Sequence, residues 1–201
     1  MPTLSEHELL ALYARPQERA LRKELPALDE HGRRFIALSP FVVMSTCDET
    51  LQLDASPRGG EPGFVKVTQD GAVLLPDSPG NNRLDSLRNI ARTGQVGLLF
   101  LIPGFDETLR VNGAAVLSTD PLDIGLCTTE RRAPRLVVRM TVSAAYLHCA
   151  KAFLRSRLWS PAAQVERTTM PTMGQMIGEQ TGLQVAPESR EDMERRYAAD
   201  L

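Results

Sequence analysis

Cysteine is scarce in this 201-residue chain, and Cys47, Cys127 and Cys149 are odd in number and far apart. That pattern excludes a disulfide framework and a C-x-x-C metal site. No apolar run reaches the about 20 residues that a membrane-spanning helix needs. A surplus of one charge is also missing. The net charge is −2, the sequence pI is near 6.0, and basic residues are interspersed with acidic ones. This excludes a nucleic-acid-coating protein, whose affinity rests on concentrated positive charge. The G-x-G-x-x-G and G-x-x-x-x-G-K-[ST] spacings are absent, so no Rossmann or P-loop site is read. The first residues, MPTLSEHELL, are acidic and helical rather than basic then apolar, and the expected location is cytoplasmic with no membrane or nucleic-acid partner.

What is present is organised around residues 54 to 100. Phe64, Val65 and Val67, then Ala72 to Leu75, are β-formers on either side of Asp70-Gly71, which reads as a hairpin with a two-residue turn. After the breaker cluster Pro76 to Gly80, Asn82 is placed to cap a helix by accepting from the Asp85 amide, with Leu84, Leu87 and Ala91 on one face and Gly94 as its stop. A buried strand follows over 96 to 102. Free amides and the positive dipole end at that helix start, with Arg83 in the first turn and the Ser86 hydroxyl nearby, outline a phosphate site.

Elsewhere, Ser5 to Glu8 has the form of a capping box, and helices are expected over 5 to 25, broken at Pro16, with Ala20, Leu21 and Leu25 facing inward. A third short helix runs from Leu28 to Ala37. Residues 41 to 46 and 51 to 55 read as a hairpin, and 56 to 63 as a loop whose three glycines let a ligand approach. Glu107 to Ser118 alternates, with Leu109, Val111, Gly113, Ala115 and Leu117 on one side and Asn112-Gly113 as a bulge or sharp barrel bend. Pro121 to Arg132 is a loop or short helix, and Leu136 to Val142 a further strand. Spacings of three, four and four put His148, Lys151, Arg155 and Trp159 on one helix face ending at Ser160-Pro161. Adjacent His148 and Cys149 diverge on either a helix or a strand, which argues against a nucleophilic pair. Met170, Met173 and Met176 are expected to pack inward, and Met193, Tyr197 and Leu201 to form the stripe of a C-terminal amphipathic helix. The expected fold is mainly β (α+β), a six- to seven-stranded antiparallel split β-barrel with flanking N- and C-terminal helices. The expected divisions are a helical extension over 1–38, a barrel over 39–165, and a linker with terminal helix over 166–201.

Taken together, SPRGGEPGFVKV at 56–67, LLPDSPGNNRLDSLRNI at 74–90, VGLLFLIPG at 96–104, ETLRVNGAA at 107–115 and HCAKAFLRSRLW at 148–159 carry a likeness. The chain resembles the pyridoxamine 5'-phosphate oxidase-like FMN-binding proteins over roughly residues 30–165, within a subgroup of FMN-dependent enzymes. That resemblance implies a split barrel that binds FMN at a homodimer interface. It implies Arg58, Val65 and Lys66 along the ring or ribityl chain, and Asn82, Arg83 and Ser86 at the phosphate. Lys151 and Trp159 would then meet the flavin edge or the partner subunit. The C-terminal Arg- and Pro-bearing signature of true pyridoxamine 5'-phosphate oxidases is not matched at Tyr197 to Leu201, so a vitamin B6 substrate is not implied.

The function read from this is flavin-mediated hydride or electron transfer to a small molecule, in which the cofactor carries the reaction and the protein anchors phosphate and tunes the ring. The alternatives are a flavin- or haem-binding protein without turnover, with His148 as the axial ligand in the haem case, and a dimeric scaffold with an empty site. No His-carboxylate pair marks a general acid or base.

Overall fold

A computed structural model describes residues 3–184 and 188–198. Its centre is a single antiparallel sheet of seven strands in the order β2-β1-β5-β6-β7-β4-β3, the split barrel expected from the sequence. The first hairpin joins β1 (Phe41–Cys47) to β2 (Leu53–Gly59), with Phe41 opposite Gly59 and Cys47 opposite Leu53. A second, short hairpin joins β3 (Lys66–Val67) to β4 (Val73–Pro76). Strands β5 (Gln95–Leu101), β6 (Thr108–Ser118) and β7 (Val137–His148) fill the middle. Alternation in β1 and β5 puts Val42, Met44, Val96, Leu98 and Phe100 inside, where they meet Leu109, Val111, Val138 and Met140 in one core.

Two helices close that core. In α3 (Glu30–Leu38), capped by Asp29 through the Gly32 amide, Phe35 and Ile36 turn inward. In α4 (Asp85–Thr93) the buried residues are Ser86, Leu87 and Ile90, and Gly94 ends the helix at a φ of 65° as expected. A smaller cluster of Leu74, Cys127 and Val137 lies under α5 (Pro121–Cys127). There Asp123, nearly buried, accepts from Ser118 Oγ and Arg139 Nη1, both at 2.7 Å. Burial pushes the Cys127 thiol up to about 11, so it stays protonated and unreactive near neutral pH.

The bulge expected at Asn112-Gly113 is present. Asn112 pairs with Ala144 and Gly113 with Val142, which leaves Ser143 as the extra residue on β7. Helix α1 (Glu6–Ala11) carries the Ser5/Glu8 capping box. Helices α6 (Lys151–Ser156), α7 (Met173–Thr181) and α8 (Arg190–Tyr197) complete the chain.

Several expectations give way to tertiary structure. Residues 56–59 are strand rather than loop. Pro57 fits because β2 is an edge strand, where a missing N–H costs no ladder bond. The second hairpin turns through three residues, Gln69 to Gly71, closed by Thr68 and Ala72, with Gly71 supplying a φ of 87°. Helix α2 (Glu18–Arg22) is shorter than expected, Ala20 and Leu21 are exposed, and Leu25 instead bridges to Ala145. On α4 the buried face is not Leu84, Leu87 and Ala91, since Leu84 and Ala91 are exposed. His148 ends β7 and α6 begins at Lys151, so the helical face joining His148 to Trp159 does not form. Met170 and Met173 are exposed rather than packed, and Met176 is half-buried. Leu201 of the expected terminal stripe lies outside the described residues, and α8 itself buries nothing.

Candidate functional site

The inner side of β2 is where the barrel opens. Asp54, Ser56 and Arg58 stand opposite Thr46, Met44 and Val42, on the core-facing side of β1, but among the described residues no further strand lies beyond β2. The start of α4 and the segment leading into β7 meet this edge and line an open cavity of about 710 Å³. That size is ordinary for a small-molecule site. Its charged lining consists of Arg58, Arg83, Arg132 and Arg135 against Asp54, Asp77 and Asp85.

The α4 start differs from the sequence expectation in a way that shapes the site. Asn82 does not cap the helix. Asn82 and Leu84 both adopt left-handed backbone at a φ of 60°, Leu84 is the cap residue, and the side chain of Asn81 accepts from the Arg83 amide at 3.1 Å. Asparagine tolerates this conformation, whereas leucine pays about 1 kcal/mol or more for it. The double turn brings Asn82, Arg83 and the first helical residues Asp85, Ser86 and Leu87 to the cavity wall. Arg83 lies just before the helix, mostly exposed, with Nε 2.8 Å from Asp85 Oδ2.

A chain of hydrogen bonds fixes the floor. Asn89 Nδ2 donates to Thr46 Oγ1 at 3.0 Å, and Thr46 Oγ1 donates to Asp54 Oδ2 at 3.4 Å. Ser86 Oγ also donates to Asp54 Oδ2 and accepts from Arg58 Nη2 at 3.3 Å. The serine proton is therefore committed to Asp54. Ser86 orients Arg58 in this arrangement and does not offer its own hydrogen to a ligand.

Of the residues singled out from sequence, Arg58, Asn82, Arg83 and Ser86 come together here. The other four do not. Val65 is buried in the core, and Lys66 is exposed opposite Leu74, close enough to Cys127 for its charge to act on that thiol. Trp159 stacks on Phe153 at 5.6 Å and donates through Nε1 to the Phe105 carbonyl at 2.7 Å. Lys151 is exposed at the start of α6, where its amide and charge hold the Cys149 thiol below the usual range. Sequence reasoning missed Asp54, Asp77, Arg132 and Arg135. The alternation of Asp54, Ser56 and Arg58 was the available signal, hidden because 56–63 reads as loop.

A second group lies at the far end of β7. Tyr146 and His148 have ring centroids 5.2 Å apart, Arg110 Nη1 donates to the Tyr146 hydroxyl at 3.0 Å, and Lys23 Nζ lies 5.3 Å from the Tyr146 ring centre. His148 Nε2 is enclosed without a hydrogen-bond partner. An axial haem ligand needs an open ring nitrogen, so His148 does not fit that role through Nε2. Burial, then the charges of Arg110 and Lys23, hold its pKa below the ordinary imidazole value. The unfolded chain accordingly takes up this proton more readily than the folded one. Stability from this group is complete above the ordinary histidine range and lost as pH falls through it. Urea unfolding at pH 7 and pH 5 is expected to show a smaller loss of stability in His148→Gln than in wild type. Parallel profiles would remove the half-buried imidazole as the cause.

Among the described residues no group of three or more His, Cys, Asp or Glu could hold a metal ion, and no helix is long and apolar enough to cross a membrane.

Fold and cavity together define a split-barrel protein with a pocket at its open edge. The chain belongs to the pyridoxamine 5'-phosphate oxidase family, which residues 28–149 match. No curated protein sequence matches it. Among solved structures, HupZ of Group A Streptococcus is similar with a TM-score of 0.48 at 14% identity, covering 59% of this chain and 91% of that one. An FMN-binding protein from Syntrophomonas wolfei gives 0.46 at 12% identity, covering 58% and 83%. HutZ, a haem storage protein from Vibrio cholerae, gives 0.41 at 12%, covering 61% and 94%.

Proposed function

We propose that the cavity binds FMN and that the protein is an FMN-dependent oxidoreductase acting on a small molecule. The observation that carries this reading is the Arg58 guanidinium, half-buried and oriented by Ser86 toward the start of α4. A fixed guanidinium beside helix-start amides is a good match for a phosphate ester, which accepts from both. Membership of the pyridoxamine 5'-phosphate oxidase family supports a flavin as the group that ends in that phosphate. Bound flavin would supply hydride or electron transfer. This chain's part is to anchor the phosphate through Arg58 and Arg83 and to direct the rest of the ligand out of the cavity.

The partner in this reading is a second copy of the chain. Phe41, Val43, Leu99 and Leu101 sit on the side of β1 and β5 opposite the core, and none of them is fully buried. Pairing two such faces would cover them and give the flavin ring a second wall. Lys151 and Trp159, remote from the phosphate end in one protomer, would act across that interface.

The test is the visible spectrum of protein purified without added cofactor, followed by FMN titration. Flavin absorption approaching one FMN per chain, or saturable binding at that ratio, is the expected result. A colourless protein that does not bind FMN would overturn the proposal. Bleaching of the bound flavin by a nicotinamide or other donor would separate an oxidoreductase from a flavin carrier.

A further inference from the structure

We infer that His148 is an acid-sensitive latch for the N-terminal arm, residues 3–27: when the imidazole takes up a proton it drives Lys23 away, and the arm leaves the edge of β7. The latch is separate from the cavity and does not depend on what binds there.

The arm has few ties to the barrel. Every residue from Thr3 to Ala27 is exposed, and neither α1 nor α2 buries a side chain. Among the described residues three hydrogen bonds join the arm to the sheet, and all three fall on β7 within a few residues of His148. Leu25 and Ala145 exchange two backbone bonds of 3.1 and 2.8 Å, and Lys23 Nζ donates to the Leu147 carbonyl at 2.6 Å. Strand β4 pairs with β7 only as far as Met140, so the arm is what occupies this later part of the edge. A segment held by so few exposed bonds opens well before the core does.

His148 lies beside those bonds. Its ring is tilted against Tyr146, and the Lys23 ammonium stands over that same tyrosine. The charges acting on the imidazole are Arg110 from β6 and Lys23 from the arm, and among the described residues no carboxylate offsets them. Lys151, at the start of α6, acts on the adjacent Cys149 thiol instead. A protonated imidazole donates from both nitrogens. Nε2 is enclosed and meets no acceptor among the described residues, so an N–H there is buried unpaired until the enclosure opens to water. The new charge also faces two cations. Arg110 is fixed on β6 and bonded to Tyr146, whereas Lys23 sits on a segment that the barrel barely holds. The arm is therefore the part that yields. Burial, then Arg110 and Lys23, hold the imidazole pKa below its ordinary value, which has the required sign. Docking of the arm is complete above the ordinary histidine range and is lost as pH falls through it.

Amide hydrogen exchange on the full chain tests this, read as protection factors at pH 7 and pH 5. At pH 7 Leu25 and Ala145 are expected to be at least about tenfold less protected than Val42 and Phe100 in the core, because the arm opens without the barrel. At pH 5 they are expected to lose a further three- to fivefold or so, the size of a like-charge contact near the surface. In His148→Gln that further loss is expected to vanish, and in Lys23→Gln to shrink. Protection at Leu25 and Ala145 as high as in the core would mean that the arm leaves only on global unfolding, and the inference is wrong. An acid loss that is absent from wild type, persists in His148→Gln or is undiminished in Lys23→Gln overturns it as well.

Discussion

Gly113→Ala is expected to lower the thermal unfolding midpoint by roughly 6–12 °C, the equivalent of about 3 kcal/mol in a domain of this size. Gly113 lies on β6 beside the bulge, buried against β7. A Cβ built there would sit 2.0 Å from the Thr141 carbonyl oxygen, 3.0 Å from its carbon and 3.2 Å from Met140 Cε. The methionine tip could move, but the carbonyl belongs to a strand held on both flanks. Relief therefore requires β6 and β7 to separate where they pass the core. Gly125→Ala is the matched control. Nothing lies within 4 Å of a Cβ at that position in α5, and replacing a helical glycine there should raise stability by about 0.5–1 kcal/mol. Thermal scans of both variants check this. A Gly113→Ala midpoint equal to wild type would mean that the two strands are not packed as described.

The same glycine illustrates what could be read in advance. Strict alternation from Leu109 to Leu117 continued through Asn112-Gly113, so a bulge was legible where a turn was not, because period-2 patterning records which side faces the core. Gly94 was legible as a helix stop for a local reason, since only the backbone at that residue has to turn left-handed. The limits appear where partners are distant. Pro57 and the glycines after it look like loop, and only the absence of a strand beyond β2 lets Pro57 sit in a ladder. His148 and Trp159 have helical spacing, but pairing with Thr108 on β6 keeps His148 in a strand. The cavity joins residues 54–58, 77–87 and 132–136. Its arginines at 58 and 83 drew notice individually, while Asp54, the residue linking Thr46 to Ser86, had only its alternation with Ser56 and Arg58 as a signal, and the loop-like Pro57 and glycines hid that.

The largest functional effect is expected at Arg58 rather than Arg83. FMN affinity in Arg58→Ala should fall roughly 30- to 150-fold, and in Arg83→Ala only about two- to fivefold. Both arginines reach the cavity, but their surroundings differ. Arg58 is half-buried and bonded to the nearly buried Ser86, so its guanidinium is already oriented when a phosphate arrives. Loss of such a charge-assisted contact is worth about 2–3 kcal/mol. The Arg83 side chain is 73% exposed and already occupied by Asp85 at 2.8 Å. Its pull on a phosphate is weakened by water and by that partner, which leaves about 0.5–1 kcal/mol. Salt should separate the two as well, since screening acts more strongly on exposed charges than on partly buried ones. The Arg83 contribution should fade by 0.5 M salt while most of the Arg58 contribution persists. Fluorescence titration of FMN into wild type and both variants at low and high salt measures all four effects. Equal losses at the two positions would mean that both arginines hold the phosphate alike, and a larger loss at Arg83 would place it at the cavity mouth and not on the Ser86-oriented guanidinium.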